Sequence, residues 1–188
     1  MYDVAIVALG TTGATLANLL GAAGRSVLVI EKEAGIFPLP RAIHYDGEVL
    51  RIFQAAGLRE QVLAISRPGT QGMHFVNGAG QTLLIRGGTA ALGPHGCANN
   101  YYFHQPELEA VLREGLARFP RVDVRLRTTL SAIEADDDGA TLHCREGDSH
   151  GNGGPAFEAR ARWVVGCDGA RSPVREHIGS PMVDLGLR

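Results

Sequence analysis

Val4-Ala5-Ile6-Val7-Ala8-Leu9-Gly10-Thr11-Thr12-Gly13, with the stretch that leads from it to Ile30 and Glu31, decides the fold. Residues 4–7 are a short apolar, β-branched run, the pattern of a strand buried on both faces. From Thr12 the period lengthens: Leu16, Leu19, Leu20 and Ala23 recur at helical spacing, and Gly24 stands where a helix cap belongs. Residues 26–30 are a second buried strand. Connections this short make a β-α-β unit with a right-handed crossover and parallel strands. In the turn, Gly10 and Gly13 occupy two of the three glycine positions of a dinucleotide-binding fingerprint. A glycine at 10 lets backbone approach a pyrophosphate, one at 13 lets helix pack on strand, and the helix N-terminus favours negative charge. Glu31 closes the second strand 21 positions after Gly10, where an acidic residue binds a ribose diol. Ala8 departs from the pattern, at a cost of ~1 kcal/mol if the turn needs a positive φ there. The plain alternative is a glycine-containing turn with no ligand.

Outward from this unit, a Pro-containing loop at 37–41 leads to a helix capped by Asp46, with Val49, Leu50, Phe53 and Ala56 on one face. Gly57 ends it. Residues 73–85 predict a hairpin around Asn77-Gly78, and the Gly-rich stretch 86–100 has no periodicity. Pro106 opens a helix whose apolar face is Leu108, Val111, Leu112, Leu116 and Phe119. A strand meander follows at 122–126, 130–134, 140–144 and 157–165, with turns at 136–139 and 151–154. The last apolar run, 163–167, ends in Asp168-Gly169. The predicted fold is α/β: a Rossmann-like domain with a parallel sheet plus an antiparallel strand meander, around one core.

Composition narrows the function classes. The chain has 188 residues, 45% hydrophobic and 20% charged, with a formal net charge of −2, which is an ordinary globular profile. Lys and Arg are scattered, so nothing points to nucleic acid. Cys97, Cys144 and Cys167 are an odd number without metal-ligand spacing, which predicts free thiols in a reducing compartment and no disulfide framework. The seven histidines show no metal spacing either. The N-terminus lacks a signal-peptide pattern and no run of ~18 apolar residues occurs, so a cytoplasmic protein without membrane contact is expected.

Val165-Gly166-Cys167-Asp168-Gly169-Ala170-Arg171-Ser172-Pro173-Val174-Arg175 resembles the Asp-Gly motif of the FAD-dependent aromatic hydroxylases, the single-component flavoprotein monooxygenases. Pro40-Arg41-Ala42, with His44, Gly47 and Glu48, resembles that family's loop after the second strand. Phe103-His104-Gln105-Pro106-Glu107-Leu108 resembles the start of its cofactor-contacting helix. The wording of both is similar to the 3-(3-hydroxyphenyl)propionate hydroxylase type, over essentially all of the chain.

The resemblance implies FAD as cofactor, NAD(P)H as reductant and O₂ as oxidant, with one oxygen atom delivered to a phenolic or aromatic-acid substrate. It implies cofactor contacts from Gly10, Gly13 and Glu31, from Arg41 at the diphosphate, from Gln105 at the ribityl and phosphate region, and from Asp168 near the pyrophosphate. His44 is the one histidine singled out as lying in a motif near the flavin. Family members continue with a substrate-binding region and a Gly-Asp motif that this sequence does not contain, so an N-terminal portion is expected, with no catalytic residue to name. Another reading keeps the fold but makes the chain a non-catalytic remnant that binds FAD or adenine nucleotide weakly or not at all. A different FAD reductase or epoxidase of the same architecture does not explain segments 41–48 and 104–109, and a simple NAD module does not explain the Asp-Gly motif.

Overall fold

A computed structural model describes residues 1–87, 92–147 and 153–186. The chain runs through strand β1 (Tyr2–Val7), helix α1 (Thr11–Ala22) and strand β2 (Val27–Ile30). Then come β3 (His44–Asp46), α2 (Gly47–Ala55), α3 (Arg59–Ala64), β4 (Ser66–Pro68), β5 (Met73–Val76), β6 (Thr82–Arg86), β7 (Asn100–Phe103) and α4 (Gln105–Gly115). After a 3₁₀ turn at Leu116–Arg118 it continues as β8 (Val122–Arg125), β9 (Thr128–Asp136), β10 (Gly139–Gly147), β11 (Gly153–Gly166) and α5 (Pro173–His177). Where the length predicts one core, the chain forms two compact units, Met1–Ile36 with Leu116–Arg188, and Phe37–Gly115. The second has an aromatic core of its own, which length and composition do not reveal.

The first unit is a six-stranded sheet in the order β8-β2-β1-β11-β10-β9. β1 pairs in parallel with β2 on one side and with β11 on the other. Val4 and Ile6 lie beside Val27 and Val29, and Ala5 and Val7 beside Leu28 and Ile30. All eight are buried, which is why these strands read as continuous apolar runs and not as alternation. The segment 122–126 is expected in the meander, but its strand, Val122–Arg125, instead pairs in parallel with β2. A helix precedes them, and a helical crossover returns a strand parallel to its predecessor. The meander proper is β9-β10-β11, antiparallel throughout.

α1 buries Gly13, Ala14, Ala17, Asn18 and Gly21, whereas Leu16, Leu19 and Leu20 are half-buried. The small residues, not the leucines that announce the helix, form its inner face. Phe119 packs where a Cβ on Gly21 would stand. The sequence places Phe119 on α4, but that helix ends at Gly115. A poor helix former at 115 and Pro120, which drives residue 119 out of helical conformation, account for the early stop.

In the second unit β3, β7 and β4 form an antiparallel sheet. Tyr45 stacks on Tyr101 at 5.2 Å and meets Phe53 edge-on at 5.7 Å. Asp46 caps α2 by accepting the amide of Val49, as the sequence predicts. The hairpin β5-β6 forms, but its turn is not built on Asn77-Gly78 alone. The Asn77 side chain accepts the amides of Ala79 and Gln81, and the left-handed position falls at Gly80, φ 79°. The predicted turn at 151–154 lies partly outside the described residues. Among those described, no helix is long and apolar enough to cross a membrane, and Cys97, Cys144 and Cys167 are free thiols.

Ala8 has φ 81°, so Ala8→Gly removes left-handed strain of ~1–2 kcal/mol and adds ~0.4–1 kcal/mol of unfolded-state entropy. A net gain of about 0.5–1 kcal/mol is expected in urea unfolding; an unchanged or lowered midpoint would rule that strain out. Burial pushes the Cys144 thiol up to about 11 from 9.0. The folded state therefore holds this proton more tightly, a contribution that is whole below pH 9 and lost as pH rises toward 11. The stability difference between wild type and Cys144→Ala should shrink over that window; a difference independent of pH refutes the assignment.

Candidate cofactor-binding site

The parallel strands of the first unit all end on one side, and β1 is where the chain's connections diverge, with β2 on one flank and β11 on the other. Ligands of open α/β sheets bind in the crevice outside such a switch point. Two segments meet there. The turn after β1 is held by the Ala8 amide donating to Ile30 carbonyl at 2.7 Å. The segment after β11 is held by the Cys167 amide donating to Val7 carbonyl at 2.9 Å.

Glu31 organises the first segment. Its side chain is buried, with 7% exposure. One carboxylate oxygen accepts the Leu9 amide at 2.7 Å and the other accepts the Glu33 amide at 2.8 Å. An ionised carboxylate has about four acceptor sites, so two such bonds leave capacity for the hydroxyls of a ribose diol. The two fingerprint glycines separate by cause. A Cβ at Gly13 would overlap the Ala8 carbonyl, so that glycine is required by packing. Gly10 has φ −71° and ψ −175°, a conformation open to any residue, and nothing lies within 4 Å of where its Cβ would be. Neither backbone nor packing demands glycine there. The open space in front of it, at the start of a 12-residue helix whose N-cap offers no side-chain acceptor, fits an anionic phosphate group.

In the second segment, Asp168 precedes a 3₁₀ turn, Gly169–Arg171. Its carboxylate accepts the Val174 amide at 3.3 Å, while Ser172 accepts the Arg175 amide at 2.9 Å. Asp168 and Ser172 thus share the capping of α5. Burial, and to a lesser degree the same carboxylate, raises the neighbouring Cys167 thiol above its ordinary value. Arg175 donates to the Ala170 carbonyl at 2.6 Å, and Arg171 is exposed.

Arg41 and Gln105 come together in the second unit. The Gln105 side-chain carbonyl accepts the backbone amides of both Arg41 and Ala42, at 2.7 and 2.8 Å. Its amide nitrogen donates to Glu109 at 2.8 Å. The Arg41 guanidinium stands over the Phe37 ring at 5.3 Å and 3.6 Å from Glu109. His44 bonds Asn100 at 2.8 Å within β3-β7 and packs against Tyr102. Sequence reading passes over Glu109, although the spacing Gln105, Glu109, Arg113 puts three polar side chains on one helix face beside Leu108 and Leu112. A polar stripe on a buried face is the signal.

The chain matches the family described as FAD binding domain over residues 1–184. It is similar to a probable NADH-specific resorcinol 4-hydroxylase of Rhodococcus jostii (strain RHA1), 40% identical over 98% of this chain and 34% of that protein. It is also similar to a 3-(3-hydroxy-phenyl)propionate/3-hydroxycinnamic acid hydroxylase of Mycobacterium sp. (strain JLS), 38% identical over 94% of this chain and 29% of that protein. The chain therefore spans about a third of the length of these curated relatives. Among solved structures it resembles p-nitrophenol 4-monooxygenase PnpA from Pseudomonas putida DLL-E4, with TM-score 0.82 and 28% identity over 95% of this chain and 44% of that one. The flavin-dependent monooxygenase PieE, solved with FAD and substrate, gives TM-score 0.79 and 26% identity over 95% of this chain and 32% of that one. With the turn after β1, the buried carboxylate at Glu31 and the Asp-Gly segment already in place, the match leaves one conclusion: the chain belongs to the FAD-binding domain family.

Proposed function

We propose that this chain provides the FAD-holding part of an NAD(P)H-dependent flavoprotein monooxygenase that hydroxylates a phenolic or aromatic-acid substrate. The observation that carries the reading is Gly10, a glycine that neither φ nor packing requires, facing open space at the switch point. There the first turn of α1 receives phosphate, Gly13 brings the helix close behind it, and Glu31 takes the ribose hydroxyls. Asp168 carries the pyrophosphate role that the family resemblance gives it. Arg41 carries the diphosphate contact, a role suited to a planar fork of donors. Gln105 holds the Arg41 backbone in place and keeps a second amide hydrogen for a cofactor hydroxyl. When bound, FAD supplies the redox and oxygen chemistry, and the protein supplies placement and a site shielded from water. The free thiols support a reducing, cytoplasmic setting.

The test separates binding from folding. Gly10→Ala should leave thermal stability within about 0.5 kcal/mol while weakening FAD binding about tenfold or more, read by flavin fluorescence and Trp163 quenching. Equal FAD affinity in the variant would sink the reading of this turn. Glu31→Gln should lower both affinity and stability, because the Leu9 and Glu33 amides lose a charged acceptor worth about 1.5–3 kcal/mol. The left-handed Ala8 favours a second reading, a strained site with weak adenine-nucleotide affinity only. Comparable saturation by ADP and FAD would support it, and a strong preference for FAD would dismiss it.

A further inference from the structure

The structure assigns Glu109 as a positioning residue for the Arg41 loop: its buried carboxylate on α4 fixes Arg41 in the pose that receives the FAD diphosphate. This rests on the reading of Arg41 given above. Glu109 is 2% exposed, and a carboxylate that deep is held by partners or not at all. One oxygen accepts the Gln105 amide at 2.8 Å and lies 3.6 Å from the Arg41 guanidinium. The other lies 3.8 Å from the Arg113 guanidinium. Gln105 in turn accepts the Arg41 and Ala42 amides. One carboxylate thereby governs both ends of Arg41: its backbone through Gln105 and its side chain directly.

The direction of the effect follows from exposure. The Arg41 side chain is 64% exposed, against 16% for Arg113. Glu109 approaches Arg41 through one guanidinium nitrogen, Nη2, and Phe37 covers one face of the plane. The guanidinium has five N–H donors, so most of the fork stays turned to solvent. Two cations share one buried anion, which leaves this cluster with a net positive charge for an incoming diphosphate. Glu109 is therefore an anchor and not a competitor: its loss frees the loop and weakens anion capture.

The experiment reads two signals, one of them independent of cofactor. Limited trypsinolysis after Arg41, followed by mass spectrometry of the 42–188 fragment, measures how firmly the loop is held without FAD. Glu109→Gln, which keeps the shape and an acceptor for Gln105, should speed this cleavage several-fold with the thermal midpoint retained. FAD titration is then run on wild type, Glu109→Gln, Arg41→Ala and the double variant. Each single variant should weaken binding about tenfold, and the double variant no more than Arg41→Ala alone, because the two act as one unit. Multiplying effects, or undiminished FAD affinity in Glu109→Gln, would overturn the assignment. Unchanged cleavage after Arg41 would overturn it as well. If wild type binds no FAD while Glu109→Gln still speeds cleavage, the cofactor reading has failed, and with it the positioning role, leaving Glu109 as a loop anchor only.

Discussion

Glu31 carries the constraint on which the candidate site depends. Its carboxylate takes the Leu9 amide from the turn after β1 and the Glu33 amide from its own loop. Charge-assisted bonds of this kind are short and strong, and a buried carboxylate with two backbone donors is well compensated. The turn is consequently fixed to the end of β2 by a side chain as well as by the backbone bond from Ala8 to Ile30. Gly13 draws α1 onto the Ala8 carbonyl from behind, and the space before Gly10 is left open. The same residue that shapes the turn is the one expected to meet a ribose, so shape and recognition are coupled through one carboxylate.

Much of this was legible in the sequence where a local rule fixes the outcome. The apolar runs at 4–7 and 26–30 read as parallel strands because burial on both faces removes alternation. Asp46 was readable as a cap because the signal and the bond lie three residues apart. The left-handed demand at Ala8 was readable from the fingerprint, and φ 81° meets it with a side chain that resists it.

What the sequence concealed was set by contacts between distant residues. Residues 122–126 look the same whether they pair in parallel or antiparallel; their partner, β2, lies about ninety residues away. The inner face of α1 is a row of small residues, which carry little hydrophobic signal although they permit the closest approach. The hold of Gln105 on the 37–42 loop, through a carbonyl that accepts two backbone amides more than sixty residues upstream, has no local signature. Glu109 is hidden in the sequence because a charged residue on an amphipathic helix belongs by default to the solvent face.

The central strand has a further consequence, for the order in which the molecule is made. β1 pairs with β11 from Tyr2 beside Ala161 to Val7 beside Gly166, so its two neighbours are separated by most of the chain. During synthesis at ~5–20 residues per second, β1 waits roughly 8–30 s for β11 to emerge. Through that interval one edge of a strand that is apolar from Val4 to Val7 has no ladder partner, an invitation to wrong pairing. Residues 37–115, which build a compact unit from closer contacts, can settle meanwhile. The switch point that creates the crevice is thus also among the last seams of the sheet to close, and the crevice takes shape only once β11 has emerged.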